Sequence, residues 1–417
     1  MDVNEQSVEK VSSIRWQETF AALKHYNYRL WFVGQIVSLV GTWMQSTAQG
    51  YLIYQLTGSS AYLGLVGFAG GAPSLLFTLF GGVVADRLPR RKLLVMTQTS
   101  MMILAFILAA LTFTNVVQPW HIVILAFLLG VANAFEAPAR ISFVLELVSR
   151  KDMTNAIALN STMFNIATVV GPSAAGLTYA AFGPGWCFTL NGISFTAVIA
   201  ALLLMRIRLE PQLPRRISAL ADLGEGIRYV FKNRMIISLI GSVGFVGLFG
   251  IGMMNLLPAW AKDVMGGDVR TNGWLVSARG LGSLISALML AYWGGRKLRG
   301  RLWTFGAFIM PVMLFIFAWI RWLPLSLVTL LGIGWGFMMV ANNSQAIVQS
   351  LVSDHIRGRV MGVYTLVFFG SMPIGSLLAG SVAERIGEPL TVMLGAGFLL
   401  MLAIGAWLFL PVIRRQE

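Results

Sequence analysis

Gly81-Gly82-Val83-Val84-Ala85-Asp86-Arg87-Leu88-Pro89-Arg90-Arg91-Lys92 joins two long apolar runs. Two glycines precede one acid, and four cations follow it within six residues. Hydrocarbon rejects charged side chains, at roughly 2.5 to 3.5 kcal/mol each near the centre of a span, so so abrupt a change marks a membrane surface. The stretch therefore reads as a tight turn between two membrane helices.

The rest of the chain fits that reading. Of 417 residues 57 % are hydrophobic and only 12 % charged, about half the charged share of a soluble domain. Twelve apolar runs, each near the roughly 20 residues that a bilayer requires, fall at 29–55, 61–85, 92–114, 119–143, 156–181, 185–205, 236–261, 273–294, 302–321, 323–348, 359–383 and 389–411. Lipid offers the backbone no hydrogen-bond partners and no strand pattern is visible, so all twelve are predicted helical. The fold class is an all-α membrane protein.

Cations set the orientation. The termini and even-numbered connections, counting residues at the helix margins, hold 26 of the 31 Lys and Arg residues. Lys262, Arg270, Arg321 and Arg385 lie in odd-numbered connections, and Arg279 lies inside the eighth run. The positive-inside rule then puts both termini in the cytoplasm, with the chain in the plasma membrane. The net charge of +14 is thereby explained by topology and by attraction to anionic inner-leaflet lipid, without a nucleic-acid partner.

Residues 206–235, with Pro211, Pro214 and seven cations, form the one long connection. Ser218–Phe231 within it is expected as an amphipathic helix on the inner surface. The predicted organisation is a cytoplasmic segment (1–28, without a signal-peptide pattern), a six-helix bundle (29–205), the linker (206–235), a second six-helix bundle (236–411) and a cytoplasmic tail (412–417). The two bundles read as a duplication, the alternative being a chance match of glycine-rich apolar sequence. Residues 130–183 overlay 334–387 without a gap, matching Gly130 to Gly334, Leu147-Val148-Ser149 to Leu351-Val352-Ser353, and Gly171, Gly176 and Gly183 to Gly375, Gly380 and Gly387. Two parallel six-helix repeats are one of the designs of secondary transporters.

On these residues the chain resembles the major facilitator superfamily. Gly82, Asp86, Arg87, Arg90 and Arg91 match its G-x-x-x-D-R-x-G-R-R signature, with Pro89 in place of a glycine. Ala137-Pro138-Ala139-Arg140, Leu145-Glu146-Leu147-Val148, Asn155–Ser161, Gly171-Pro172 and Arg357–Gly362 resemble a branch of enterobactin exporters and macrolide efflux proteins. Gly171, Pro172 and Gly176 also match part of the superfamily's antiporter motif, while Ala158, Ala167 and Ala175 stand where glycine is usual. Those residues are either helix-packing positions or determinants of transport direction. The resemblance implies rocking of two pseudo-symmetric halves, and Asp86 as a clamp that pairs with Arg87, Arg90 or Arg91, or meets the start of helix 11; the alternative is a solvated loop that only fixes orientation. The equivalent connection Gly294–Arg301 carries no acid, so the clamp is expected in the first half alone.

Ionisable and polar groups inside the spans are the remaining candidates. Asn133, Glu136 and Arg140 share one face of helix 4. Glu136 and Arg140 either neutralise each other or couple transport to a proton or cationic substrate. Arg279 either snorkels to the outer surface or faces the cavity, where it favours an anion. Gln45, Gln49, Asn160, Asn165, Asn255, Asn342 and Gln345 either bond neighbouring helices or line a cavity. A P-loop lysine, a metal-ligand cluster and a nucleophile with a base partner are all missing, so the chain is not expected to be an ATPase, a metal-site protein or an enzyme. The expectation is a proton-driven exporter of a small hydrophobic or amphipathic molecule, with no cofactor, working as a monomer with lipid and its substrate as partners. An importer, a lipid transporter on the same scaffold and a membrane sensor are the alternatives.

Overall fold

The computed structural model describes residues 20–206, 219–293, 298–409 and 411–414. Its twelve long helices are α1 Tyr26–Thr57, α2 Ser60–Arg87, α3 Arg90–Phe113, α4 Pro119–Glu146, α5 Met153–Phe182, α6 Pro184–Leu204, α7 Arg234–Val264, α8 Val269–Trp293, α9 Arg299–Trp319, α10 Leu323–Leu351, α11 Asp354–Ile386 and α12 Glu388–Phe409. Each matches a predicted run, most extending it at one or both ends. Ten are apolar and long enough to cross a bilayer. The others, α1 and α5, are 32 and 30 residues long but carry polar rows, Thr42, Gln45, Ser46 and Gln49 on one and Asn160, Ser161, Thr162 and Asn165 on the other. Of the equivalent connection Gly294–Arg301, residues 294–297 lie outside the described residues.

The repeat appears in the helix ends. Helices α4 and α10 begin 204 residues apart, and α5 and α11 both stop at a glycine with positive φ, Gly183 at 88° and Gly387 at 83°. Such a conformation is open to glycine and strained for other residues. The paired Gly130 and Gly334 sit at equivalent crossings. A Cβ on Gly130 would lie 2.4 Å from the Gly70 carbonyl oxygen of α2, and one on Gly334 would lie 2.0 Å from the Arg279 carbonyl oxygen of α8. Small residues let the two backbones touch, which is how membrane helices gain packing energy without a hydrophobic driving force.

Between the linker's ends lies a short helix, Ala219–Lys232, within a residue of its predicted bounds. Its start is fixed to α11, where Arg359 donates to Asp222 at 2.7 Å and to Glu225 at 2.8 Å. Gly226 permits this approach, since a Cβ there would be 2.6 Å from the Arg359 carbonyl oxygen. One arginine of the α11 start is thus paired with the linker, and Arg357 pairs with Asp354 at 2.6 Å.

Helix α2 packs on α11 and α5 on α8, and these are the two most extensive contacts between the first six helices and the last six. The close approaches lie towards the end bearing the sparsely charged odd-numbered connections. A Cβ on Gly64 would be 2.6 Å from the Ser376 carbonyl oxygen, and one on Gly380 would be 2.5 Å from that of Ser60. On the other seam a Cβ on Gly280 would be 2.5 Å from the Thr168 carbonyl oxygen. Hydrogen bonds reinforce the closure. Ser59 Oγ and the Ala61 amide donate to Glu384 at 2.9 and 3.1 Å, Ser60 Oγ donates to Glu388 at 2.6 Å, and the Tyr54 hydroxyl donates to Asp263. Ser277 Oγ donates to the Val169 carbonyl at 2.6 Å. Among the described residues, no hydrogen bond or ion pair joins the two halves at the opposite, cation-rich end.

Helix α7 departs from regular geometry where it meets the middle of the molecule. It passes through a π turn at Gly247–Ile251, a 3-10 segment at Gly252–Leu256 and a second π turn at Trp260–Val264. Pro258 lacks an amide hydrogen, and Gly247, Gly250 and Gly252 tolerate the altered backbone. The irregular stretch brings Asn255 to the seam, where its Nδ2 donates to Ser376 Oγ at 2.7 Å.

Candidate functional site: a two-lobed central cavity

Below the closed end, two adjoining cavities of about 310 Å³ each occupy the centre of the molecule. They share Ser46, Gly50, Gly67 and Asn255, and so form two lobes of one space. The first lobe lies between the halves, with Trp43 and Thr47 of α1, Met254 and Asn255 of α7, Asn272 and Arg279 of α8, and Phe369 and Met372 of α11 on its wall. The second is enclosed mainly by the first half, between α1, α2, α4 and α6, and is lined by Gln45, Gln49, Asn133 and Asn191. Aromatic, methionine and amide groups together suit an amphipathic ligand, since sulfur and rings adapt to shape while amides fix orientation.

Local packing holds these groups in place. Trp43 packs edge-on against Phe164 at 5.8 Å, and a Cβ on Gly171 would strike the Trp43 Cβ at 2.5 Å. Gln45 Oε1 accepts a hydrogen bond from Asn191 Nδ2 at 2.7 Å, and Ser194 Oγ donates to Asn191 at 3.1 Å. Gly41 leaves the space for this amide cluster, because a Cβ there would be 2.4 Å from Ser194 Oγ.

Of the predicted polar residues, Gln45, Gln49, Asn133, Asn255 and Arg279 line the lobes. Arg279 faces the cavity rather than snorkelling to the surface, and among the described residues no acidic side chain lines either lobe. Glu136 and Arg140 stand apart from both lobes. Glu136 is buried, with its carboxylate 3.1 Å from Arg140 Nε and 3.4 Å from Gln98 Nε2. The mutual pairing is thus present, and direct substrate contact by Glu136 is not seen. Asn165 donates to the Ser161 carbonyl of its own helix at 2.8 Å. Asn160, Asn342 and Gln345 line neither lobe, Gln345 being exposed and the others half-buried.

The Gly81–Lys92 turn is differently wired from the expected clamp. Asp86 is exposed and, among the described residues, pairs with none of Arg87, Arg90 and Arg91. Arg90 instead pairs with Glu146, and Arg91 donates to the Leu203 carbonyl at 2.9 Å. Both arginines are thereby fastened to neighbouring helices of their own half. The two glycines also divide their work. A Cβ on Gly81 would lie 2.3 Å from the Ala134 carbonyl oxygen, whereas one on Gly82 meets nothing within 4 Å. In the antiporter-like motif, Gly171 touches α1 and Gly176 touches α8, where a Cβ would be 3.0 Å from Arg270 Cα; Pro172 is buried beside them.

Asn191 and Asn272 were not singled out by sequence reasoning. Asn191 is one amide in an otherwise apolar run, a signal that was there to use. Asn272 lies just before the run predicted to begin at 273, but the helix begins at Val269 and carries Asn272 into the membrane.

A closed end, an opposite end where no hydrogen bond or ion pair links the halves among the described residues, and a polar cavity between the first six helices and the last six match a secondary transporter of the major facilitator type. The chain belongs to the transmembrane secretion effector family of that superfamily, whose model matches residues 17–417. It is 26 % identical over 378 residues to the multidrug efflux pump Tap of Mycolicibacterium fortuitum, covering 88 % of this chain and 91 % of the pump. It is 25 % identical to the staphyloferrin A transporter of Staphylococcus aureus, covering 86 % and 90 %, and 25 % identical to the enterobactin exporter EntS of Escherichia coli O1:K1 / APEC, covering 96 % of each. The crystal structure of the nucleoside transporter NupG shares the fold, with a TM-score of 0.73 at 15 % identity over 92 % of this chain and 98 % of that one. The chain is a multi-pass membrane transporter of an efflux family and not an enzyme.

Proposed function

We propose that the protein is a proton-coupled exporter of a small amphipathic molecule, working by alternating access between two six-helix domains at 29–205 and 236–411. The single observation that carries this reading is the asymmetry around the cavity. Helices α2, α5, α8 and α11 close one end by backbone contact, while the cation-rich end has no linking hydrogen bond among the described residues. Under the positive-inside rule the cation-rich end, with both termini, faces the cytoplasm, and the conformation is open inward. Export then follows when the seal opens and the cytoplasmic ends come together. Relatives named for drugs and siderophores support a substrate of that kind.

Two devices complete the proposal. Asp86, exposed in this state, engages only when the cytoplasmic ends close, with Arg87, Arg90 and Arg91 holding its turn and Gly82 leaving room for the approach. Glu136 is the one fully buried carboxylate among the described residues, a helix turn from the lobe-lining Asn133. Proton binding there releases Arg140, which makes the pair a coupling element. Lipid and substrate are the partners needed by a monomer.

Inside-out vesicles with an imposed pH gradient test the proposal. Uptake of a drug or siderophore that collapses with the gradient, and is accompanied by substrate-dependent proton movement, is the expected result. Uptake unaffected by the gradient contradicts proton coupling.

A further inference from the structure

Arg279 and Asn272 stand two turns apart on one face of α8, and both line the lobe between the halves. Asn272 is 1 % exposed, and neither its amide nitrogen nor its carbonyl oxygen has a hydrogen-bond partner. The buried Nε of Arg279 also has none, and among the described residues no carboxylate pairs with the guanidinium. Buried polar groups are normally satisfied, and a buried cation is normally paired. Three unmet polar atoms on two residues that line one cavity therefore point to a ligand that supplies what they lack. The cavity's other walls sharpen its chemistry. Among the described residues Arg279 is the one ionisable residue lining either lobe, and the one buried acid, Glu136, is already held by Arg140 and lines neither.

We infer that the transported molecule is an anion, carrying a carboxylate or a comparable acidic oxygen that docks on Arg279, with an adjoining neutral polar group read by Asn272. A guanidinium matches two carboxylate oxygens at once, a geometry that an ammonium cannot supply. Asn272 both donates and accepts, so it suits an amide or a hydroxyl next to the acid. Trp43, Met254, Phe369 and Met372 receive the apolar part of the molecule. Arg279 is also placed to report occupancy to the seam. Gly280, next to it, touches Thr168 of the other half, and the Arg279 carbonyl is the atom against which Gly334 packs. The inference rests on the central cavity being the substrate site, and it separates this chain from transporters built for cationic drugs.

The test is equilibrium binding to the purified full chain in detergent, read by tryptophan fluorescence and thermal shift. The probes are N-(2,3-dihydroxybenzoyl)serine, its neutral methyl ester and citrate. Wild type is expected to bind the acid about 10- to 100-fold more tightly than the ester, the range of a charge-assisted double hydrogen bond. Arg279→Gln is expected to abolish that preference by weakening the acid far more than the ester, and Arg279→Lys to keep part of it. Asn272→Ala, which leaves the charge in place, is expected to weaken acid and ester together and to preserve their ratio. Equal binding of acid and ester by wild type, a preference that survives Arg279→Gln, or the absence of any anion-dependent difference between wild type and Arg279→Gln overturns the inference. Failure of the transport reading is seen separately. A protein that prefers the acid in detergent but moves no probe in vesicles upholds the anion site and contradicts the exporter.

Discussion

Gly64→Ala is the smallest change that loads the closed end. Its new Cβ would be 2.6 Å from the Ser376 carbonyl oxygen and 3.0 Å from Gly380 Cα, both backbone atoms that cannot rotate away. Reaching ordinary contact at about 3.4 Å requires α2 and α11 to part by about 0.8 Å, which also stretches the Ser60–Glu388 and Ser59–Glu384 hydrogen bonds. Overpacking of this kind costs about 1 to 3 kcal/mol. In the alternating-access account the contact exists only in the state closed at this end, so the whole cost falls on that state. The equilibrium between the two states then shifts about 5- to 150-fold towards opening. Spin labels at Asn115→Cys and Trp322→Cys, exposed at this end on opposite halves, in a Cys187→Ser background, measure it by double electron–electron resonance. A second, longer-distance population is expected in Gly64→Ala. Gly82→Ala is the counterpart. It meets nothing in the present state, so its cost arises in the state that closes the cation-rich end, and the shift has the opposite sign. Identical distance distributions in wild type and Gly64→Ala, with the protein folded and stable, would refute the reasoning.

Four further outcomes follow from the same structure. Asp86→Asn should cut transport in vesicles at least several-fold with membrane protein level unchanged. Glu136→Gln should remove proton dependence and leave the half-buried Arg140 without its partner, at a cost of about 1 to 3 kcal/mol; adding Arg140→Gln should recover melting temperature without recovering coupling. Glu384→Gln should loosen the closed end more weakly than Gly64→Ala, because it weakens two hydrogen bonds and creates no clash, as read by the same spin labels. The start of α1 is tied to the α4–α5 connection by a His25–Asp152 contact of 2.8 Å, and the Asp152 carboxyl is held below its ordinary value by hydrogen bonds, first from His25 and then from Ser149. A lowered carboxyl value stabilises the fold at pH above the ordinary carboxylate range and loses that contribution as pH falls through the lowered value. Amide protection at Ala21–Lys24, corrected for the intrinsic pH dependence of exchange, should therefore fall in acid in wild type, and be low at every pH in Asp152→Asn.

The membrane solvent explains why so much of the fold could be read from the chain. Apolar runs had to be helices, and cations such as Arg87, Arg90 and Arg301 could lie only at their ends. The offset of 204 residues was visible in glycines that turn out to share a packing job, Gly130 with Gly334, and a helix-ending job, Gly183 with Gly387. Contacts between distant helices were less accessible. Nothing adjacent to Gly64 announces that Gly380 lies opposite, and nothing near Arg90 announces Glu146 as its partner in place of Asp86. The cavity was half legible for the same reason. Gln45, Gln49 and Asn255 are visible as polar residues in apolar runs, but only helix rotation separates them from Asn160 and Gln345, which line neither lobe. Arg279 could have pointed either way until the positions of α8 and α11 were known.

The central claim is that one cavity is reached from one side of the membrane at a time. Ser46 lines both lobes and is exposed to them, so Ser46→Cys in the Cys187→Ser background reports access directly. A membrane-impermeant maleimide, applied to sealed vesicles of known orientation, measures its labelling rate from each face. The account predicts labelling from the cytoplasmic face in the resting protein, and a rate from the opposite face that rises in Gly64→Ala as the cytoplasmic rate falls. Equal labelling from both faces at once, as in a channel, would contradict it.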